Sequence, residues 1–373
     1  MTDSPMKTQL LTRLDRFPLL TRYLKSSLAQ RLECDNWYEN RVLRYIVRDS
    51  DWVSYLEKTF NDASLEAVVN SDCIFATLSG TQRDYDNQLF DALAEVRLIA
   101  WARESGYDDR IEKLKAESGI RTPDFLMTKG EEVVVGEAKH LRTWDYLLDF
   151  VVDRLEGLGI KMGRMNAFGL KVEAGVEYDR RRDNLVQENA AGRTRRMNDA
   201  RKTITEECLA SLERRLQSKP NVEIKIEVSG VPLSIKRYNS PGRVQLSQIH
   251  WDDPKKVQET LLLKLEGVLM SALKQIRSYL DSPYSRANPC RAVVFVAGMG
   301  PEEWDWDLLW EALYRWSEPS VWNSLSAIQQ RAQSLLGVPF DLVTRQGDPP
   351  RYGLFPWCPE DCSAADTLIL NSF

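Results

Sequence analysis

The segment from residue 122 to residue 139 limits the fold of this chain more than any other part of its sequence. Residues 122–128 are short and apolar, residues 129–131 (Lys-Gly-Glu) suit a tight turn, and residues 132–139 contain three consecutive valines. Apolar and β-branched runs on either side of a glycine turn are typical of two antiparallel strands. We therefore predict a β-hairpin that closes around Gly130.

Helical patterns surround this hairpin. In residues 7–70 and 86–104, apolar residues recur every three or four positions with charged residues between them. Residues 258–280 have the pattern of a long amphipathic helix, and residues 291–297 form a β-branched strand of the buried type. Helices and strands thus share one segment of the chain, which predicts an α/β (α+β) fold.

The rest of the chain has weaker patterns. Residues 144–217 are predicted to be mostly helical around a basic, loop-like middle, and strands are predicted at 222–228 and 232–238. The C-terminal part is predicted to be helical and then to form strands at 340–345 and 352–357. Six of the eleven tryptophans lie there: Trp304, Trp306, Trp310, Trp316, Trp322 and Trp357.

Charge is distributed unevenly along the chain. The formal net charge of -5 argues against a protein that coats nucleic acid through bulk electrostatics, because phosphate binding needs clustered Lys and Arg. Residues 141–256, however, contain 22 Lys and Arg against 17 Asp and Glu.

No apolar run approaches the ~20 residues of a membrane-spanning helix, and the N-terminal residues lack a secretory signal. We therefore expect a cytoplasmic protein with no membrane partner.

The hairpin also carries the residues that indicate chemistry. Because side chains alternate between the two faces of a strand, Glu137 and Lys139 project together. Asp124 lies near the start of the partner strand and is expected to lie beside the Glu137 end of the hairpin. Two carboxylates that converge at a strand end suit Mg²⁺, which binds one or two carboxylates and retains waters or phosphate oxygens. A neighbouring lysine can neutralise charge in a phosphoryl transition state.

The spacing of these residues resembles a known signature. Pro123-Asp124, twelve intervening residues and then Glu137-x-Lys139 resemble the motif of the PD-(D/E)XK nuclease superfamily, with Glu in the D/E position. The resemblance covers residues 81–145 and 255–300. It implies a restriction-endonuclease-like core, which is a mixed central sheet flanked by helices, and Mg²⁺-dependent hydrolysis of DNA, with Mn²⁺ as a substitute metal.

The resemblance also assigns roles to particular residues. It implies metal binding by Glu95, Asp124 and Glu137, and a catalytic role for Lys139. Gln275 and Tyr279 resemble the glutamine and tyrosine element of the RecB-type branch, which gives Gln275 a supporting role. No histidine precedes the motif, so the chain departs from that branch. Each residue also has an open alternative without chemistry. Asp124 could cap a turn at the start of its strand, and Glu137 and Lys139 could form a charge pair on an exposed strand face. Glu95 could be the polar margin of its helix, and Gln275 a buried polar contact.

This interpretation divides the chain into five parts. They are a helical N-terminal region (1–80), a first core part (81–145), a basic insertion (146–254), a second core part (255–300) and a Trp-rich C-terminal region (301–373).

Two groups of arginines are expected either to contact a phosphate backbone or to form a solvated loop. They are Arg180, Arg181, Arg182, Arg193, Arg195 and Arg196.

The function that these observations favour is a DNA endonuclease, with a role in phage defence or in a mobile element. Two alternatives stay open. One is a catalytically inactive nucleic-acid-binding or scaffold protein on the same fold, and the other is a nuclease directed at RNA, which a 2′-hydroxyl contact would distinguish from DNA. The Trp-rich region is expected to be core or an interface for a protein partner or for self-association.

Overall fold

The structure is a computed structural model of the whole chain. It describes residues 5–32, 43, 45–46, 50–78, 85–115, 119–140, 146–174, 190–248, 254–283, 285, 288–297, 319–346 and 351–354. The chain divides into two compact units. The first consists of Met1–Gln30, Tyr45–Arg142 and Gln258–Phe373, and the second of Arg31–Arg44 and Thr143–Val257.

A six-stranded mixed sheet forms the centre of the first unit. Its strands are β1 (Arg110–Lys113), β2 (Phe125–Lys129), β3 (Glu132–His140), β8 (Arg291–Ala297), β9 (Phe340–Gln346) and β10 (Arg351–Leu354), and they lie side by side in this order. β1, β2 and β3 are antiparallel neighbours, β3, β8 and β9 are parallel, and β10 is antiparallel to β9. The two central strands, β3 and β8, carry the apolar run expected of strands covered on both faces.

The hairpin in this sheet arises from local sequence. Gly130 lies in the turn at a φ of 58°, a conformation that glycine adopts without steric cost. The register pairs Lys129 with Glu132 and Phe125 with Gly136. β2 and β3 are therefore the predicted hairpin, although β2 begins three residues later than expected.

The following described helices belong to the first unit. They are α1 (Pro5–Leu14), α2 (Pro18–Leu32), α3 (Ser50–Ala63), α4 (Asp72–Leu78), α5 (Tyr85–Glu104), α9 (Pro254–Leu280) and α10 (Pro319–Leu336). α5 packs on β3 so closely that a side chain at Gly136 would approach Leu98 of the helix to 3.2 Å. Nearly every residue of α5 from Leu89 to Ala102 is buried, which is why its sequence is apolar on most sides.

The second unit contains a four-stranded mixed sheet. Its strands are β4 (Gly169–Ala174), β5 (Ile224–Val228), β6 (Val231–Tyr238) and β7 (Val244–Gln248), in the order β5-β6-β4-β7. Its described helices are α6 (Tyr146–Lys161), α7 (Ala190–Thr203) and α8 (Glu206–Ser218). A continuous apolar core between these helices and strands includes Leu155, Phe168, Leu212 and Ile235. The predicted insertion, 146–254, falls within this unit.

The mixed α/β class predicted from the sequence is the class that the structure has. Three strands were not predicted. β1 and β7 lie where no element was expected, and β4 lies in a stretch that was predicted to be mostly helical, which was wrong for residues 169–174. No helix in the part of the chain that the structure describes is long and apolar enough to cross a membrane.

Candidate functional site

The site begins where β3 extends beyond its hairpin partner. β2 starts at Phe125, opposite Gly136, because Pro123 has no amide hydrogen to donate and fixes the backbone that leads into the strand. β3 continues to His140 and pairs over these last residues with β8 on its other side. The backbone edge of residues 137–140 that faces away from β8 is therefore available to side chains.

Asp124 occupies this edge. Its Oδ2 accepts a hydrogen bond from the Ala138 amide at 2.8 Å, so the carboxylate replaces the missing strand partner. Its Oδ1 accepts a second hydrogen bond from Lys113 Nζ at 2.7 Å. The backbone is also held, since the Asp124 amide donates to the Gly136 carbonyl at 3.1 Å. Asp124 thus has one fixed position beside the Glu137 end of β3, as the sequence predicted.

Lys113, the last residue of β1, connects Asp124 to helix α5. Its Nζ forms an ion pair with Glu95 Oε1 at 2.9 Å and one with Asp124 Oδ1 at 2.7 Å. The same Nζ lies 4.9 Å from the centroid of the Phe125 ring, within the range of a cation–π interaction. Burial alone would lower the pKa of Lys113, but the charges of Asp124 and Glu95 outweigh it and raise that pKa.

Glu95 is the one predicted metal ligand on α5. Its side chain is 19% exposed and contacts Lys113. Burial raises the pKa of Glu95 to about 7, and the nearby charge of Asp124 adds to this rise, while Lys113 opposes it. A carboxylate at this buried position needs a partner, and in the structure the partner is a lysine.

Glu137 is the most deeply buried carboxylate of the site, with 1% of its side chain exposed. Its Oε1 forms an ion pair with Lys139 Nζ, and its Oε2 has no hydrogen-bond partner within the described ranges. Burial raises the pKa of Glu137 well above its ordinary value, and the charge of Asp124 raises it further. A carboxylate oxygen that is buried without a partner is costly, so this atom points to a ligand or a proton.

Gln275 connects helix α9 to Lys139 of β3 and to the segment before β2. Its Oε1 accepts a hydrogen bond from Lys139 Nζ at 2.9 Å, and its Nε2 donates to the Thr122 carbonyl at 3.1 Å. The side chain therefore spans from the end of β3 to the segment that carries Asp124. The sequence predicted that Gln275 faces the sheet, and the structure places it there.

The candidate residues lie on two faces of the sheet. Glu137 and Lys139 project toward α9, whereas Gly136 and His140 project toward α5, where the His140 ring contacts Asp91. Glu95 and Lys113 belong to the α5 side, and Asp124 lies at the strand edge. Among the described residues, no three His, Cys, Asp or Glu side chains form a group that could hold a metal ion. The predicted set of Glu95, Asp124 and Glu137 therefore does not converge as one cluster.

Two carboxylates still fit a hard cation. Mg²⁺ needs only one or two of them, because it keeps water or phosphate oxygens in its other positions. Asp124 and Glu137 lie close enough for the charge of one to raise the pKa of the other, and Glu137 Oε2 lacks a partner among the residues described. This pair has the donor chemistry that Mg²⁺ requires, while Glu95 is engaged by Lys113.

Two residues that the structure brings here, Lys113 and Asp91, were not predicted from the sequence. Lys113 lies in a four-residue strand with one buried residue, Ile111, which is too short and too polar for a recognisable period. Asp91 precedes Glu95 by four residues, a spacing that places both on one side of α5. That spacing was the available signal for Asp91.

The structure describes only part of the predicted nucleic-acid interface. Arg180, Arg181 and Arg182 lie outside the described residues, and so does the side chain of Arg193 in α7. Arg195 is exposed on α7, and Arg196 donates from Nη1 to the Ser229 carbonyl at 3.3 Å. Of the six C-terminal tryptophans, only the backbone of Trp322, in α10, is described.

Comparison of this chain with protein-family models, with curated proteins and with solved structures finds no match. The interpretation of the site therefore depends on its own geometry and on the sequence pattern. Membership of the PD-(D/E)XK superfamily stays a prediction.

Proposed function

We propose that this protein is a Mg²⁺-dependent nuclease that hydrolyses DNA phosphodiester bonds, acting as an endonuclease. The observation that carries the proposal is the grouping of Asp124, Glu137 and Lys139 at the open end of the hairpin, with a buried carboxylate oxygen of Glu137 that lacks a partner in the described structure. The PD-(D/E)XK pattern in the sequence supports the same conclusion.

Each residue has a distinct role in this proposal. Asp124 and Glu137 would hold the metal ion, which when bound supplies Lewis-acid polarisation of the phosphate and an activated water. Lys139 would contact the attacking water or the phosphate oxygens and stabilise the charge that develops there. Gln275 fixes the Lys139 ammonium group from the α9 side and so acts as a positioning residue.

The charge of the site suits a cation. The three buried or half-buried carboxylates, Glu95, Asp124 and Glu137, face two ammonium groups, Lys113 and Lys139. One negative charge is therefore left over when all five groups are ionised. Burying an uncompensated charge is costly, and a bound metal or a proton removes that cost.

Helix α7 of the second unit is the proposed contact for the DNA backbone. Its sequence contains three arginines between residues 193 and 196 and a further Arg-Lys pair at 201–202, with one acidic residue, Asp199. The sequence of the helix thus carries clustered positive charge in an acidic protein, as phosphate binding requires. Replacing the exposed Arg195 by Gln should weaken binding on all DNA sequences and reduce the slope of log K against log salt by about 1.

The test is nuclease activity on plasmid, linear duplex, single-stranded DNA and RNA, in Mg²⁺, Mn²⁺ or EDTA. Asp124→Asn and Lys139→Met should each reduce metal-dependent cutting of DNA by on the order of 100-fold. Glu131→Gln is the matched control, because Glu131 is an exposed residue in the turn of the same hairpin. Cutting that survives both site substitutions in folded protein would refute the proposal, and preferential cutting of RNA would replace DNA as the substrate.

One observation favours the inactive alternative. Lys113 already forms ion pairs with both Glu95 and Asp124, which is the arrangement expected of a site that works without a metal. In that case the protein would bind nucleic acid in a salt-sensitive manner, and no substrate of the panel would be cut in either metal. Binding measurements at several salt concentrations alongside the cleavage panel separate the two functions.

A further inference from the structure

We propose that Lys113 is an internal counter-cation that competes with a divalent metal ion for Asp124, and so sets the metal affinity of the site. This inference rests on the proposed function, because Asp124 is one of the two carboxylates that would hold the metal. It assigns to Lys113 a role that differs from that of Lys139, although both are lysines of one site.

The contacts of Lys113 carry the argument. Its ammonium group lies 2.9 Å from Glu95 Oε1 and 2.7 Å from Asp124 Oδ1, and 12% of the side chain is exposed. The group is thus placed between two carboxylates from different elements, α5 and the segment before β2. A monovalent ammonium in this position occupies Asp124 Oδ1, an oxygen that a metal ion would need.

Hydrogen bonds of its backbone and a contact of its ammonium group hold Lys113 in place. The Lys113 amide donates to the Val69 carbonyl at 2.9 Å, and its carbonyl accepts from Asn70 Nδ2 at 3.2 Å. The Phe125 ring lies against the ammonium group. Because the backbone is held on both sides, the ammonium group stays near the two carboxylates rather than exchanging freely with solvent.

A like charge at this distance opposes a metal. Two positive charges repel each other more strongly in a partly buried site than in water, because the effective dielectric constant is lower there. Asp124 would nevertheless keep its place without Lys113, since its Oδ2 is bound by the Ala138 amide. Removal of the ammonium charge should therefore free Asp124 Oδ1 as a ligand without displacing the carboxylate.

Lys139 provides the contrast. It contacts one carboxylate, Glu137, and its ammonium group also donates to the neutral Gln275. It is 25% exposed, about twice the fraction for Lys113, so it is the lysine that can reach a substrate phosphate. The two lysines thus have different roles. Lys139 contacts substrate, and Lys113 limits the access of metal to the Asp124 carboxylate.

The test is the affinity of the full chain for Mn²⁺, measured from the electron paramagnetic resonance signal of free Mn²⁺. Lys113→Met should bind Mn²⁺ at least tenfold more tightly than the wild type, whether or not either protein cuts DNA. Lys129→Met is the matched control: Lys129 is the last residue of β2, the strand that pairs with β1, and its Nζ donates to the Ser105 carbonyl rather than to a carboxylate. Its Mn²⁺ affinity should equal that of the wild type.

A second variant covers the case in which Lys113→Met does not fold. The double variant Lys113→Met/Glu95→Gln removes one negative charge together with the positive one, and it too should bind Mn²⁺ more tightly than the wild type. Unchanged or weaker binding by the folded variants overturns the role of Lys113.

Glu137→Gln separates this inference from the proposed function. Loss of Mn²⁺ binding in Glu137→Gln, without a gain in the Lys113 variants, overturns the inference and leaves the proposed metal site in place. Tighter binding in the Lys113 variants that is insensitive to Glu137→Gln supports the competition and refutes the proposed pairing of Asp124 with Glu137.

Discussion

Replacement of Glu95 by Gln should change how the stability of the protein depends on pH. The pKa of Glu95 is raised from an ordinary 4.5 to about 7, chiefly by burial. Between these values the folded protein keeps a proton that the unfolded chain has released. The free energy of unfolding therefore decreases as the pH rises through this range. Glu95→Gln removes the titration and keeps the shape of the side chain and an acceptor for Lys113.

The size of the effect follows from the shift. A rise from 4.5 to about 7 corresponds to about 3 kcal/mol. Because the side chain is 19% exposed, solvent reduces this figure, and we expect about 2 kcal/mol between pH 5 and pH 8. The stability of Glu95→Gln relative to the wild type should rise by this amount over the interval. Glu137 adds a slope of the same sign, but it does so in both proteins and cancels in the comparison.

Urea denaturation followed by tryptophan fluorescence measures this difference. Trp101 is a suitable reporter, because it is buried on the same helix as Glu95. Glu104→Gln is the control, since Glu104 is exposed at the end of that helix. Its stability relative to the wild type should be the same at pH 5 and pH 8. A Glu95→Gln difference that is also constant with pH would refute the argument that Glu95 is buried next to Asp124.

Three further predictions concern packing and positioning. Gly169→Ala should lower the free energy of unfolding by about 2 kcal/mol or more, because its Cβ would lie 2.2 Å from the Ser240 carbonyl oxygen, a backbone atom; urea denaturation measures the loss. Gly267→Ala, in an exposed and unobstructed position of α9, should instead stabilise the protein by up to about 1 kcal/mol in the same assay, and destabilisation would contradict the helix assignment. Gln275→Leu should lower kcat for DNA cleavage by about tenfold and leave Mn²⁺ affinity unchanged, since Gln275 holds Lys139 and not the carboxylates; an equal loss of metal binding would contradict this role.

Much of the fold was predictable where local signals were strong. The hairpin, helix α9 and strand β8 are found close to their predicted bounds, because long amphipathic periods and β-branched runs are properties of short segments of sequence. β1 and β4 were missed for the opposite reason. They are short and partly polar, and their strand conformation depends on pairing with β2 in one case and with β6 and β7 in the other.

The sequence by itself determined the hairpin and the spacing of Asp124, Glu137 and Lys139, because turn chemistry and strand alternation act over a few residues. Only the tertiary structure decided that Lys113 lies between Glu95 and Asp124, and that Glu95 and Glu137 belong to opposite faces of the sheet. Those placements depend on how a helix, an edge strand and a hairpin pack together. The ionisation of the site follows from the same packing, since burial and neighbouring charge, rather than residue type, raise the pKa values of Glu95 and Glu137.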